Sequence, residues 1–239
     1  MSIADSIACV EEEIVAACRR AMRPRDSVQL MAVSKTHPAE LIMEAYGAGI
    51  RLFGENRVQE FAAKQSALQA AGMSHEARSA SFHLIGPLQS NKATRAAQIF
   101  DAVDVVDSLR LAQRLDEACA AAGKRLPILI EIKLSPESSK HGLAPEAGEL
   151  RQLLERLPDL KHMKFRGLMT IPPYADDLEQ VRPYFRQLRV LRDSLAQQFP
   201  ALQFHELSMG MSHDFSVAIE EGSTLVRIGT AIFGARPPV

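Results

Sequence analysis

Segments that fit buried β-strands alternate with segments that fit amphipathic α-helices along almost the whole of this 239-residue chain. We count eight strand-like segments, with a helical pattern of apolar residues between each consecutive pair. Strands that alternate with helices in this way run parallel and are joined by right-handed crossovers. Eight such units match a (β/α)8 TIM barrel, which typically takes about 250 residues. A doubly wound open sheet is the alternative, but it would usually need fewer strands or a longer chain.

The order of the predicted elements also indicates the domain organisation. A helix over residues 3–22 precedes the first strand, and no linker, low-complexity tract or charge block divides the chain. We therefore predict a single domain over residues 1–239, an α/β barrel with an extra N-terminal helix (1–24) packed on it. The predicted strands cover 30–33, 51–56, 81–86, 102–107, 127–134, 165–171, 206–210 and 224–229.

Charge and composition exclude several classes of function. A formal net charge of −1 and an isoelectric point near 6.7 give no reason to expect nucleic acid or an anionic membrane as a partner. Three widely spaced cysteines predict neither a disulfide framework nor a zinc site and favour a reducing compartment. The N-terminus has no secretory pattern and no apolar run reaches membrane-spanning length. We expect a cytoplasmic protein.

Lys35 ends the first predicted strand, after four consecutive apolar residues and Ser34. Barrels and open α/β sheets place their chemistry at the carboxyl ends of strands. Two interpretations of this lysine follow. It could be an ordinary lysine that leaves the core for solvent. It could also be an amine at the mouth of a low-dielectric pocket, with a pKa lowered enough to form a Schiff base.

Two segments rich in glycine and hydroxyl side chains, 208–214 and 227–234, follow or end strands seven and eight. Such barrels usually bind phosphate there. Glycine lets backbone N–H groups approach an anion closely, and hydroxyl groups add donors. We expect Ser212 to cap the short helix that follows and to direct free amides at a phosphate. A carboxylate would repel that phosphate, so we expect Asp214 to point away from it and to contact first-turn amides.

Arg227 lies inside an apolar strand, where an unpaired guanidinium group would be very costly to bury. It could pair with a carboxylate such as Glu55 or Asp107, or project into the barrel mouth and donate to a ligand. His83, on another apolar strand, is more typical of a hydrogen-bonded core histidine than of a catalyst. Asn56 could hold a ligand hydroxyl group or cap the next helix.

A Schiff-base lysine on strand one with a phosphate site after strands seven and eight describes a pyridoxal 5′-phosphate (PLP) site. Six motifs support this interpretation: Ala32-Val-Ser-Lys35-Thr, Phe53-Gly-Glu-Asn56, His83-Leu-Ile-Gly-Pro-Leu-Gln-Ser-Asn-Lys92, Gly167-Leu-Met-Thr-Ile171, Leu207-Ser-Met-Gly-Met-Ser212 and Val226-Arg-Ile-Gly-Thr-Ala-Ile-Phe-Gly234. In this order, from about residue 28 to 236, they resemble the YggS/PROSC family of PLP homeostasis (PLP-binding) proteins. Together the motifs are highly specific.

The resemblance implies a barrel like the N-terminal domain of alanine racemase, with PLP held as an internal aldimine on Lys35. It implies that Arg227 faces the pyridine nitrogen and that Asn56 lies near the cofactor ring. Around the phosphate it implies Ser208, Gly210, Gly229 and Thr230, with Met209 and Ser212 as neighbours. The chain departs from the family pattern at Arg57, where many members have tyrosine, and in a tail without lysines. No role is transferred to those positions, and Lys140 could either belong to a surface turn or cover the mouth.

Two functions remain open at this point. The first is a non-catalytic PLP carrier that buffers the cofactor and delivers it to PLP-dependent apo-enzymes; the alternative is a PLP-dependent amino-acid racemase. Racemisation needs a base on each face of the α-carbon, and fold-related racemases take the second, a tyrosine, from a further domain of a partner subunit. We predict that Tyr46, Tyr174 and Tyr184 lie in helices or at a helix start, which favours the carrier. A barrel without the second domain is expected to be a monomer.

Overall fold

The computed structural model describes residues 1–73, 80–135 and 141–235. Its strands form a closed parallel barrel in which each strand pairs with the next along the chain and the last pairs with the first. The predicted (β/α)8 barrel is therefore confirmed. The strands are β1 (Gln29–Val33), β2 (Leu52–Glu55), β3 (Ser81–Leu84), β4 (Ala102–Val106), β5 (Leu126–Glu131), β6 (Met163–Met169), β7 (Glu206–Met211) and β8 (Leu225–Ile228).

Helices surround the barrel and connect its strands. They are α1 (Ile3–Arg20), α2 (Ala39–Gly47), α3 (Val58–Ala70), α4 (Ala93–Ile99), α5 (Leu109–Ala121), α6 (Gly148–Arg156), α7 (Arg182–Gln198), α8 (Phe215–Glu220) and α9 (Thr230–Phe233). Across the described ranges, no helix is both long and apolar enough to cross a membrane.

Most strand ends differ from the sequence prediction by one or two residues, and two differences are larger. No helix is predicted after β8, but the segment that follows it forms the short helix α9. Strand β5 was expected to extend to residue 134, but its ladder with β6 ends at the pair Glu131 and Met169. Beyond that point Ile132 forms an isolated bridge with Leu143, so the chain leaves the barrel wall.

The main core lies between the outer face of the barrel and the helices. α1 contributes a buried stripe at three- to four-residue spacing, which includes Ile7, Val10 and Ile14, and packs against α8 and α9. A smaller apolar cluster of Met31, Val33, Ile85 and Leu225 is separate from this core. The polar residues considered below lie on the strands and on the turns that follow them.

Gly210 allows α8 to pack directly on β7. Its φ is +95°, and a Cβ atom there would lie 2.6 Å from the Cβ atom of Ala218 and 2.9 Å from the Cα atom of Phe215. Both the backbone conformation and the close approach therefore require glycine.

Replacing Gly210 with alanine is expected to lower the free energy of unfolding by about 2–3 kcal/mol, from strain at positive φ and from the clash with α8. Urea denaturation followed by circular dichroism measures this change. Gly148→Ala is the matched control, because nothing lies within 4 Å of a Cβ atom at that position. Equal stability of the two variants would contradict the packing role of Gly210.

Candidate functional site

Lys35 lies in the turn that follows β1, at the carboxyl end of the barrel, and is half-buried. The next residue, Thr36, has a φ of +67°, which is rare for a β-branched residue. Such a conformation persists only where the surroundings hold it in place. The turn that carries the predicted functional lysine is therefore held by neighbouring contacts.

Those contacts form a network of polar groups, all buried or half-buried except the exposed Thr36, which we call the brace (Ser34, Thr36, Glu55, Glu60 and Lys64). The Lys64 ammonium group donates to the Ser34 carbonyl oxygen at 3.1 Å and lies 3.0 Å from the nearer Glu55 oxygen and 2.8 Å from Glu60. Ser34 Oγ donates to Glu55 at 2.8 Å, and the Thr36 amide donates to Glu60 at 2.5 Å. The brace ties both sides of Lys35 to β2 and α3.

Burial raises the pKa of the fully buried Glu55 carboxyl group, while the charge of Lys64 and the bond from Ser34 act in the opposite direction. The sequence prediction missed this network. Its one local signal is the spacing of Glu60 and Lys64, four residues apart on α3. The link to Glu55 and Ser34 depends on the pairing of β1 with β2.

The segments after β7 and β8 meet at a single hydroxyl group. Ser212 Oγ accepts hydrogen bonds from the backbone amides of Gly229 at 3.1 Å and Ala231 at 3.3 Å. We call these three residues the anion cradle, because the two amides converge on one oxygen atom, as they would on a phosphate oxygen. Thr230 lies between them and is exposed at the start of α9.

Two expectations about this region were wrong. Ser212 does not cap α8, because its hydroxyl group contacts the loop after β8, and α8 has no side-chain cap. Asp214 does not contact first-turn amides; its Oδ1 accepts from the Met211 amide at 2.6 Å, before the helix begins. Burial raises the pKa of Asp214, although that backbone bond and the charge of Arg227 oppose the shift.

The remaining predicted residues of β7 lie in the strand. Ser208 is fully buried and its hydroxyl group accepts from Arg227, while Met209 is fully buried in the core between barrel and helices. The Met209 side chain is therefore turned away from the mouth, since successive side chains of a strand point to opposite faces. Gly210 serves the packing of α8 described above.

Arg227 lies on β8 and is 3% exposed. It donates to Ser208 Oγ at 2.7 Å and to the Thr170 carbonyl oxygen at 2.9 Å. The suggested pairing with Glu55 or Asp107 is wrong, since Glu55 pairs with Lys64. Burial lowers the pKa of Arg227, and the charges of Asp104, Glu131 and Asp214 partly offset that effect.

A cavity of about 190 Å³ opens at the same end of the barrel, and we call it the mouth cavity. Asn56, predicted to lie near a cofactor ring, is one of its walls. The Asn56 side chain fits closely against Gly86, where a Cβ atom would lie 2.3 Å from Asn56 Oδ1. The other lining residues are Ile85, Pro87, Glu131, Lys133, Ser135, His141 and Ile171.

Glu131 ends β5, is 6% exposed and lines the mouth cavity. Burial raises its pKa from 4.5 to about 7, although the charge of Arg227 acts in the opposite direction and that of Asp107 adds to the rise. The sequence prediction did not single out Glu131. It lies in the longest predicted strand, where its neighbours give no signal of function.

Glu131→Gln is expected to raise stability at alkaline pH. The folded chain keeps this carboxyl group protonated up to about pH 7, whereas the unfolded chain ionises it near 4.5. Stability is therefore lost as pH rises between these values, by about 3 kcal/mol. Glutamine removes that loss, so the variant should match the wild type at pH 4 and exceed it by this amount at pH 8. Urea denaturation at both pH values measures the difference; equal stability at pH 8 would contradict the prediction.

The other residues discussed from sequence lie outside this constellation. His83 is hydrogen-bonded to Asp104, with 3.1 Å between Nδ1 and Oδ2, as predicted, but it is half-buried and not part of the core. Arg57 is exposed at the N-cap of α3 and makes no side-chain cap. Lys140 lies outside the described residues.

Comparison with known proteins agrees with the barrel fold described above. A family model described as alanine racemase, N-terminal domain, matches residues 11–237. A pyridoxal phosphate homeostasis protein of Aquifex aeolicus (strain VF5) is 42% identical over 236 residues, which cover 99% of this chain and 99% of the relative. The chain belongs to the family of pyridoxal phosphate homeostasis proteins.

Solved structures extend the similarity to three dimensions. PipY of Synechococcus elongatus PCC7942, solved with PLP bound, is 42% identical and has a TM-score of 0.84; the match covers 98% of this chain and 100% of PipY. The alanine racemase of Clostridium difficile 630 in complex with cycloserine has a TM-score of 0.70 at 14% identity, over 95% of this chain and 60% of the racemase. That second match shows the fold alone.

Proposed function

We propose that this family member binds PLP in the barrel mouth, linked to Lys35, and acts in PLP homeostasis by buffering or delivering the cofactor. The observation that carries the proposal is the anion cradle, in which two amides converge on Ser212 Oγ at the same end of the barrel as Lys35. An amine and an oxyanion site at one mouth match the aldehyde and the phosphate of PLP. The PLP bound by PipY supports the same conclusion.

We assign each residue of the mouth a contact with one part of PLP. Lys35 would provide the primary amine, and PLP, when bound, would supply the aldehyde with which an amine condenses with loss of water. The amides of Gly229 and Ala231 would exchange their bonds to Ser212 Oγ for bonds to the phosphate. The hydroxyl groups of Ser212 and Thr230 would donate to the phosphate as well. Arg227 would keep the pyridine nitrogen unprotonated by placing a positive charge beside it, and Asn56 would contact the ring.

Replacing Ser212 with alanine tests the cradle. We expect about tenfold weaker binding of PLP, because one hydrogen-bonding group to the phosphate is lost, while covalent attachment to Lys35 persists. Fluorescence titration with PLP and with pyridoxal, which lacks the phosphate, measures the effect. The loss should be confined to PLP. An equal loss for both ligands would show that Ser212 does not contact the phosphate.

The site supports a carrier better than a racemase. Tyr174 lies in the loop after β6, neither in a helix nor at a helix start as predicted, so it is near the carboxyl end of the barrel. Its ring is 76% exposed and stacks on His213, and its hydroxyl group donates to Asp176 at 3.0 Å. That bond raises the pKa of Tyr174, which disfavours its use as the second base. The positive charge of Arg227 would also weaken the cofactor as an electron sink.

Two measurements test the function. The PLP-loaded protein is incubated with a PLP-dependent apo-enzyme in the presence of a trap for free PLP, and activation despite the trap would demonstrate direct delivery. The same protein is assayed for amino-acid racemisation, and turnover on the order of 1 s⁻¹ or more would favour the racemase. We propose that the carrier works as a cytoplasmic monomer, which size-exclusion chromatography with light scattering can check.

A further inference from the structure

The carboxyl group of Glu131 lines the mouth cavity and contacts no polar side chain among the described residues. Its residue is 6% exposed, and no hydrogen bond or ion pair joins its side chain to any other residue in the described ranges. A buried ionisable group in this state is costly unless something else satisfies it. Glu55, by contrast, has Ser34 and Lys64 as partners. Because Glu131 lines the mouth cavity, a ligand in that cavity can complete its contacts.

A second charged group lines the same cavity. Lys133 follows Glu131 by two residues, a spacing that places both side chains on one side of an extended segment. Within the described residues, the Lys133 ammonium group likewise has no ion pair or hydrogen bond. The cavity therefore has one carboxyl group and one ammonium group that have no partner among the described residues.

Most of the other lining residues carry no charge. Ile85, Pro87 and Ile171 provide an apolar wall, and Asn56 and Ser135 provide neutral polar groups. A carboxylate, an ammonium group and an apolar wall are the complement of an α-amino acid with an apolar side chain. The volume of about 190 Å³ limits that ligand to a small one, since a water molecule in the liquid takes about 30 Å³.

We propose that the mouth cavity binds a small apolar α-amino acid, such as valine, with its ammonium group on Glu131 and its carboxylate on Lys133. This inference rests on the proposed function because the amino-acid site and the PLP site would lie at the same barrel mouth. β5 lies opposite β1 in the closed barrel, so the ligand would lie across the mouth from Lys35. The amine of a free amino acid would then be held at the same barrel mouth as the cofactor.

The proposal implies a specific pH dependence. The ammonium group needs an ionised Glu131, and the pKa of that residue is about 7. Arg227 and Asp107 act on this carboxyl group with opposite signs, and Lys133 and His141 share the cavity with it. Affinity for the amino acid should therefore rise as pH rises from 6 to 8.

The experiment uses protein loaded with PLP and reduced with borohydride, so that the cofactor stays on Lys35 and cannot exchange with the amino acid. Ligand-observed NMR titration with L-valine is expected to show saturable binding that tightens from pH 6 to pH 8. Isobutylamine and isobutyrate, which each lack one charged group, should bind at least about tenfold more weakly. Glu131→Gln should weaken valine binding to the same degree and remove its pH dependence.

Glu206→Gln is the matched control, because Glu206 is a largely buried carboxyl group on β7 that pairs with Arg166 away from the mouth cavity. It should bind valine as the wild type does. Equal binding by Glu131→Gln and the wild type would overturn the proposal. Binding of valine only to protein without PLP would also overturn the proposal, because it would show that the cofactor itself occupies the cavity. Loading of Lys35 is measured first by borohydride labelling, so that its failure counts against the proposed function and not against the amino-acid site.

Discussion

Replacing Lys35 with alanine is expected to abolish covalent attachment of PLP. The wild-type protein should absorb near 420 nm (about where PLP Schiff bases absorb) and should carry about one cofactor per chain after borohydride reduction. Lys35 is the lysine held by the brace in the turn after β1, at the end of the barrel where the anion cradle lies. Without its amine, PLP can be held only by non-covalent contacts, so labelling should fall to background. Absorbance spectra and peptide mass spectrometry after reduction measure both effects.

The control for this experiment is Lys133→Ala, which removes another lysine of the same barrel mouth. Its labelling should equal that of the wild type, because Lys133 lies beyond β5, on the opposite side of the barrel from β1. Labelling that survives in the Lys35 variant and is lost in the Lys133 variant would move the covalent site to Lys133. The phosphate contacts inferred for Ser212 can then be measured in the Lys35 variant without interference from covalent binding.

Replacing Arg227 with methionine is expected to produce the largest loss of stability among the site variants, about 3–5 kcal/mol. The guanidinium group is 3% exposed and is held by Ser208 Oγ and the Thr170 carbonyl oxygen. Methionine fills a similar space but leaves these two oxygen atoms without their donor. It also removes the positive charge that opposes the raised pKa values of Glu131 and Asp214. Urea denaturation at pH 7 measures the loss.

Arg151→Met is the control for charge removal alone. Arg151 forms an exposed pair with Glu155 on α6, so its loss should cost less than about 1 kcal/mol. An equally small cost for Arg227→Met would contradict the buried role of this residue. Arg227→Lys keeps a charge in case the methionine variant does not fold. If Arg227 faces the pyridine nitrogen, PLP bound to the lysine variant should also show an altered absorbance spectrum.

The barrel itself could be predicted because its evidence is local. Apolar runs and helical periodicity recur along the chain, and parallel strands joined by helices leave few arrangements. The position of Lys35 followed from the same evidence, since a lysine directly after a buried strand must lie at the carboxyl end of that strand. The Tyr174 prediction failed because the segment before α7 begins as a loop, where apolar periodicity carries no information.

Contacts across the barrel could not be predicted in the same way. Ser212 could have capped α8 by its position in the sequence, yet it contacts the segment after β8 because the pairing of β7 with β8 brings the two segments together. Arg227 could have paired with either of two carboxylates, and its guanidinium group instead reaches Ser208 on the neighbouring strand β7. In both cases the residue type indicated that a polar contact is needed, but the sequence did not indicate which group makes that contact.

The sequence by itself determined the strand order, the parallel barrel and a lysine at its mouth, because these depend on neighbours within a few residues. Only the tertiary structure decided which groups satisfy one another: Lys64 with Glu55, Arg227 with Ser208, and no described partner for Glu131. Partners of this kind are separated along the chain, and their distances depend on the register of strands that meet only when the barrel closes. The free energy of a buried charge depends on those distances and on burial, which is why the chemistry of Glu131 becomes visible only in the folded chain.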